Sequence, residues 1–340
     1  MRIGLVLGAG GSVGVAYHGA VVAALEQATG WDPRSAALIM GTSAGAITAA
    51  MLRAGVPAAD LVCISEGRPL SDEGAYFARI GRPRRPRPHP SHLFRVRPMA
   101  EPAAIVHALT HPRTHSAVAL LAAMMPAGGI PTDRISSGVN DVFAGAWPAD
   151  PLWICTVDLR AGRRVVFGRP DAPPAPVGTA VAASAAIPAY FQPVVIGDRR
   201  YVDGGVHSMV NLDVAAGLGL DLVIVSAPMS DASGWSAIPA GTPWRLPLRA
   251  WLHAEMGALR HKGVAVAALE PSSRVITAMG LNPMDARRRG PVSRATTRSV
   301  LEWLATTSEG THLAAVLARA ASSTATPPAP EPDLRRRPSA

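Results

Sequence analysis

What this 340-residue chain lacks narrows its class first. It has only two cysteines, Cys63 and Cys155. That excludes a disulfide scaffold and leaves room for one bridge at most, and two reduced, buried thiols are the expectation. No apolar run approaches the roughly 18 residues of a spanning helix. The longest, Ala117 to Gly129, contains Pro126. There is one lysine, Lys262, so the basic charge is almost all arginine. There is no internal repeat. With 48% hydrophobic residues the chain lacks the polarity of a disordered protein, and it is long enough to bury a core without staples. Met1-Arg2 ahead of an apolar stretch has the order of a signal peptide, but glycines 8, 10, 11 and 14 would break the apolar helix of such a signal. The expectation is a cytoplasmic protein with no signal peptide and no transmembrane helix.

What is present begins with charge. The formal net charge is +9. Arg79, Arg82, Arg84, Arg85, Arg87, Arg95 and Arg97 fall in one segment without an acid. The tail after Pro330 sets Arg335, Arg336 and Arg337 against Glu331 and Asp333. The rest of the chain is nearly neutral. A nucleic-acid partner is not expected, because no matching motif accompanies the arginines. Peripheral binding to an anionic membrane through Arg79–Arg97 is one reading of the segment, worth up to about 1 kcal/mol per arginine near the surface. A solvated, proline-rich loop is the other.

The coarse pattern is that of an α/β fold. IGLVL (3–7) reads as a buried parallel strand, followed by the glycine loop and a helix from about Val15 to Ala28 that stops at Gly30. AALIM (36–40) reads as a second strand, with a helix from Ala46 to Ala54 after it. Strand–turn–helix alternation of this kind marks an α/β sheet. Residues 66–131 read as an irregular, Arg/Pro-rich and helical insertion, a candidate lid. Strands resume at 152–158 and 164–167. A short helix follows at 177–186, then a hairpin across Gly197-Asp198 and a strand at 221–227. Helices are expected at 244–260, 291–306 and 309–321, with a strand at 273–278. One domain over 1–321 and a disordered tail over 322–340 result.

Three local patterns carry chemistry. GTSAG (41–45) matches G-x-S-x-G, a serine pushed out at a tight strand-to-helix turn. Gly41 and Gly45 remove side chains that would crowd the turn, and the helix N-terminus behind Ser43 favours developing negative charge. A turn whose serine merely caps the helix is the structural alternative. The loop with Gly8, Gly10, Gly11 and Gly14 reads either as a dinucleotide fingerprint or as an oxyanion hole built from backbone N–H groups. The spacing is G-x-G-x-x-x-G, and Asp32 precedes the second strand instead of ending it, which weakens the nucleotide reading. Asp203 in YVDGG ends a strand before Gly204 and Gly205, as a turn residue or as a carboxylate facing Ser43. Ten histidines are present, none in a recognisable triad context.

The glycine loop, GTSAG and DGG in that order resemble the patatin-like phospholipase family. VAASAAIPAYFQPVVIGDRRYVDGGV is similar to the stretch that leads into the catalytic aspartate of that family, and Asn211 fits as well. The resemblance spans about residues 3–230, with weaker similarity through LNPMD (281–285). It implies a three-layer α/β/α sandwich with a mainly parallel central sheet. It implies a serine lipid acyl hydrolase of phospholipase A or acylhydrolase type, with no metal and no cofactor, acting on a lipid or ester substrate. Ser43 then matches the nucleophile and Asp203 the proton acceptor of a Ser–Asp dyad without histidine. Gly10, Gly11 and Ser12 match the oxyanion hole. Gly8, Gly14, Gly41, Gly45, Gly204 and Gly205 are the motif glycines. Two positions depart: Val13 stands where the family usually has Arg or Lys, and Ala9 where it often has glycine. Two alternatives stay open. One is an α/β-hydrolase-type esterase with a histidine triad, its late histidine something like His312. The other is a non-catalytic protein that keeps the fold, to which Val13 alone points.

Overall fold

Short apolar runs bounded by glycine build the centre of the sheet. In the computed structural model, which describes residues 1–81, 98–111, 116–232 and 243–324, strand β1 (Ile3–Leu7) is buried at every position. Leu5 and Leu7 point into one core and Val6 into another, as expected of a central strand covered on both faces. It pairs in parallel with β2 (Leu38–Thr42) on one side and, later in the chain, with β7 (Leu222–Ser226) on the other. Between β1 and β2 runs α1 (Gly11–Thr29), closed by Gly30 in the left-handed region. After β2 come α2 (Ala44–Arg53), α3 (Ala58–Glu66), α4 (Asp72–Ile80), α5 (Ala103–Thr110), α6 (Ala117–Met124) and α7 (Asp133–Phe143). Strands β3 (Leu152–Asp158) and β4 (Arg163–Phe167), helix α8 (Val177–Ser184) and the hairpin β5 (Val194–Ile196) and β6 (Arg199–Asp203) follow, then β7. The described residues end with α9 (Arg245–His261), β8 (Ala265–Leu269), α10 (Ser273–Met279), α11 (Arg289–Thr306) and α12 (Ser308–Thr324).

The eight strands form one mixed sheet. β3, β2, β1, β7 and β8 are parallel, and β4, β5 and β6 add antiparallel pairs at the β3 end. β3 governs the site. Residues 154–158 pair with β4 along one edge. Its other edge is shared: Thr42 at the end of β2 lies opposite Cys155, and Asp203 at the end of β6 lies opposite Thr156. Two strands running toward each other therefore meet end to end against neighbouring residues of β3.

Helices cover both faces, and the expected three-layer α/β/α sandwich is present. α1, α2, α8, α11 and α12 contribute to the core around Leu5, Leu7, Ile39 and Ile154. Leu252, Met256 and Leu259 of α9, with Leu212, Val214 and Ala215, cover Val6, Met40, Val223 and Val225 on the opposite face. A third, smaller cluster joins α5 and α6 to Val157, Leu159 and Val202. Cys155 is buried, whereas Cys63 is half-buried instead of buried, and both are free thiols. Among the described residues no helix is long and apolar enough to cross a membrane.

Several expected boundaries shift. β2 runs on to Thr42 and α2 starts at Ala44, so Ser43 alone joins them. α1 starts at Gly11, not Val15. Glycine propensity favours a loop there, but the close packing of this turn overrides it. The strand expected at 273–278 is helix α10, whose Val275, Ile276 and Met279 form one buried face. The strand is instead β8, AVAAL, whose alanines carry little strand signal. Helix α12 reaches Thr324, three residues into the tail expected from 322. Residues 325–340, and all of the Arg79–Arg97 segment beyond Gly81, lie outside the described residues.

Candidate active site

Ser43 is held in a backbone conformation that few non-glycine residues adopt, φ 56° and ψ −117°. Such geometry costs on the order of 1–3 kcal/mol and persists only where the surroundings enforce it. The two flanking glycines show the enforcement. A Cβ at Gly41 would lie 2.5 Å from the backbone of Ala46, and one at Gly45 would lie 2.0 Å from the Leu7 carbonyl oxygen. α2 thus packs directly on the ends of β1 and β2, and the serine is held in the turn between them, buried. Its backbone N–H donates to Ser184 Oγ at 2.9 Å, and the Ser184 hydroxyl donates to the Cys155 carbonyl at 2.7 Å.

Asp203 arrives from β6. It is 5% exposed and accepts a hydrogen bond from Gly205 N–H at 2.8 Å. Burial pushes its carboxyl up to about 6, against the lowering effect of the nearby Ser43 hydroxyl and of the Gly205 N–H. A carboxylate in that state is a stronger base than a free one, near pKa 4. Gly204 lets the turn close on β3: a Cβ there would meet the Cys155 carbonyl oxygen at 2.4 Å. Asn211, itself at φ 58°, ties the two strand ends together. Its Nδ2 donates to Thr42 Oγ1 at 3.1 Å and to the Gly204 carbonyl at 3.4 Å.

The glycine loop lies against the same turn. Gly45 N–H donates to the Gly8 carbonyl at 3.2 Å, and a Cβ at Gly14 would touch Ala44 Cβ at 3.1 Å. Helix N-terminal N–H groups lack intrahelical acceptors. In α1 the Val13 N–H is taken by the Pro283 carbonyl at 3.0 Å and the Gly14 N–H by the Gly10 carbonyl at 2.9 Å. Among the described residues no acceptor takes the N–H groups of Gly10, Gly11 or Ser12, so the three sequence-predicted donors remain available to an oxyanion. Gly11 needs its φ of +60°, and a side chain there would strike the Pro283 carbonyl.

Sequence reasoning missed three supporting groups. His18 lies wholly buried beneath the loop. Its Nε2 donates to the Gly8 carbonyl and its Nδ1 accepts from Ser226 Oγ, both at 2.8 Å. Burial lowers its pKa to about 4, so it is a neutral prop under the loop. Arg289 of α11 reaches in from far along the chain and donates from Nε to Ser12 Oγ at 2.9 Å. Thus a guanidinium does stand beside this loop, although Val13 is buried and apolar. Ser184, the third, carried one usable signal: with Thr179 it is one of two hydroxyls in an otherwise small, apolar helix. Among the described residues no histidine is hydrogen-bonded to Ser43 or Asp203. His312 is exposed on α12, and His253 pairs with Glu270.

An apolar cavity of about 250 Å³ lies between α2, α4 and α7, lined by neither Ser43 nor Asp203. Ile47, Ala50, Met51 and Ala54 line it along α2, and the Ile47 N–H is bonded to the Ser43 carbonyl, so the cavity begins one helical turn past the serine. A larger cleft of about 1130 Å³ lies along β4 among charged side chains, some already paired, such as Arg164 with Asp213. Neither Ser43 nor Asp203 lines it. Among the described residues no group of His, Cys, Asp and Glu is disposed to hold a metal ion.

A three-layer α/β/α fold with a strained serine, a buried carboxylate and unpaired backbone donors at one sheet edge has the framework of a hydrolase. Residues 5–216, more than half of the chain, match the patatin-like phospholipase family, and the chain belongs to that family. Membership places it among lipid acyl hydrolases. Among solved structures it is similar to VipD from Legionella pneumophila, with 15% identity and a TM-score of 0.43, over 93% of this chain and 67% of that one. It is also similar to the heterodimeric ExoU-SpcU complex from the type III secretion system of Pseudomonas aeruginosa, with 18% identity and a TM-score of 0.33. That match covers 95% of this chain, which spans 58% of the chain it matches there. No curated relative matches the sequence.

Proposed function

We propose that the protein cleaves carboxylic ester bonds of (phospho)lipids through an acyl-enzyme on Ser43, with Asp203 as the only proton acceptor. The observation that carries this reading is the meeting of β2 and β6 on neighbouring residues of β3, which brings the Ser43 turn next to a buried Asp203 whose carboxyl burial raises to about 6. Ser43 Oγ attacks the ester carbonyl carbon and its proton passes to Asp203. The oxyanion accepts from the N–H groups of Gly10, Gly11 and Ser12, each such donor worth about 3 kcal/mol in the transition state. Collapse breaks the ester C–O bond, and the leaving alcohol takes the proton from Asp203. Water then attacks the acyl-enzyme and gives its proton to Asp203. The second collapse releases the fatty acid and returns the proton to Ser43.

The apolar cavity beside Ile47 suits one acyl chain, which supports a phospholipase A or acylhydrolase type of cleavage. The same proposal has the protein act in the cytoplasm at membrane surfaces, with the arginines of the Arg79–Arg97 segment contacting anionic headgroups. A fluorophosphonate probe mapped by mass spectrometry, together with fatty-acid release from a panel of lipid classes, tests the chemistry. The expected result is an adduct on Ser43 and release that vanishes in Ser43→Ala and Asp203→Asn. Full activity in either folded variant would remove the dyad.

A further inference from the structure

Helices α5 and α6 invert the usual order of an amphipathic surface helix. Small residues face inward: Ala104 on α5 and Ala119, Ala122 and Ala123 on α6 are buried against Val157, Leu159 and Val202. The large apolar residues, apart from the half-buried Leu120, face outward. Val106 and Leu109 are 65% and 78% exposed on α5, and Val118 and Leu121 are 51% and 62% exposed on α6. With Ile105, Met124 and Met125, this short stretch holds seven of the fourteen exposed large hydrophobic side chains among the described residues. Burying leucine removes more apolar area from water than burying alanine, so folding of the isolated chain does not select this orientation. Contiguous exposed apolar surface marks an interaction site.

The composition of the face and its position identify the occupant. Neither AAIVHALT nor AVALLAAM contains Asp, Glu, Lys or Arg. Eight residues span about 12 Å as a helix, too short to cross a hydrocarbon core of about 30 Å. The sequence just before α5 carries seven arginines and no acid between Arg79 and Arg97, a charge complementary to anionic headgroups. The platform under the two helices is β6 itself, whose Val202 precedes Asp203, and Val206 packs against the same cluster just past Gly205. We propose that the outward face of α5 and α6 inserts into the headgroup–acyl boundary of an anionic lipid bilayer, in the manner of an interfacial helix, and so holds the site beside Asp203 against the membrane. Its purpose rests on the lipid-hydrolase reading, but its occurrence is measured without turnover.

The full-length Ser43→Ala protein, which leaves vesicles intact, is sedimented with sucrose-loaded phosphatidylcholine–phosphatidylglycerol vesicles, with and without Leu109→Ser plus Leu121→Ser. The parent is expected to bind, and the double substitution to weaken partition by about tenfold or more. Leu121→Trp in the same background adds an indole that acyl-brominated lipids should quench beyond the signal of the parent. In the Ser43 protein the double substitution should leave hydrolysis of a water-soluble short-chain ester and the melting temperature unchanged. Binding equal to that of the parent, an unquenched added indole, or no vesicle binding by the parent overturns the proposal. So does light scattering that finds a dimer dispersed by the double substitution, since a second copy then covers the face. Vesicle binding by a protein that hydrolyses no ester overturns the functional reading and leaves this one standing.

Discussion

The backbone N–H of Ser43 is bonded to the hydroxyl of Ser184, a residue 141 positions later in the chain. That hydroxyl also donates to Cys155, so one side chain fixes the strained turn to the strand that aligns it. The Ser184→Ala substitution deletes both bonds and leaves a buried N–H and a buried carbonyl unpartnered. A loss of about 1–3 kcal/mol in unfolding free energy is expected, together with a kcat for ester hydrolysis reduced by about ten- to a hundredfold as the turn relaxes. Denaturant melts and initial rates on one soluble ester measure both. A variant with lower stability and full kcat would show that the turn holds without Ser184.

Asp203 sets stability and activity against each other over one pH window. Its pKa rises from 3.8 to about 6 in the folded protein. A raised carboxyl contributes most to stability when protonated, below about pH 4, and that contribution is lost as pH climbs through 6. A rise of this size corresponds to about 3 kcal/mol. Asp203→Asn should therefore be more stable than the parent at pH 8, by up to that amount, with the difference closing below pH 4. The kcat/KM of the parent should do the reverse and rise through an acid limb near pH 6, where Asp203 ionises. His18, near 4, adds no limb between pH 5 and 9. Thermal melts and a pH–rate profile test the two halves separately.

The cavity along α2 predicts a chain-length profile. From Ile47 to Ala54 the helix rises about 10 Å, and Ala54 sits at the far end of the lining from Ser43. Ala54→Phe should fill that end, lowering kcat/KM for decanoyl esters by about tenfold while leaving butyryl esters unchanged, since each lost methylene contact is worth about 0.8 kcal/mol. Equal losses for both chain lengths would place the acyl group elsewhere.

The local signals in the sequence are strong where chemistry and packing coincide. GTSAG is readable because a side chain at Gly41 or Gly45 collides with backbone, so the motif records a contact as well as a nucleophile. DGG records the same kind of contact at Cys155. Continuous apolar strands such as β1 and β7 are legible because burial on both faces leaves little room for polar residues. Groups that act at long range are not. Arg289 meets Ser12 across 277 positions, and nothing near it in sequence marks the encounter. His18 is one of ten histidines with no local mark in the sequence, because its burial and its two partners are tertiary facts. β8 is hidden by its alanines, and α10 by a short apolar run that fits a strand equally well.

The end-to-end meeting of β2 and β6 along one edge of β3 has a consequence for biosynthesis. Thr42 and Asp203 take neighbouring places on β3, so neither half of the site has its counterpart until a contact spanning some 160 residues has closed. Such long-range pairings form late, because loop-closure entropy opposes them until the rest of the sheet is in place. A nascent chain still lacking β6 has Ser43 without Asp203, and a slip of one residue in either pairing separates the two by about 3.3 Å. On the proposed dyad, ester cleavage therefore waits until both strands are paired with β3 in register.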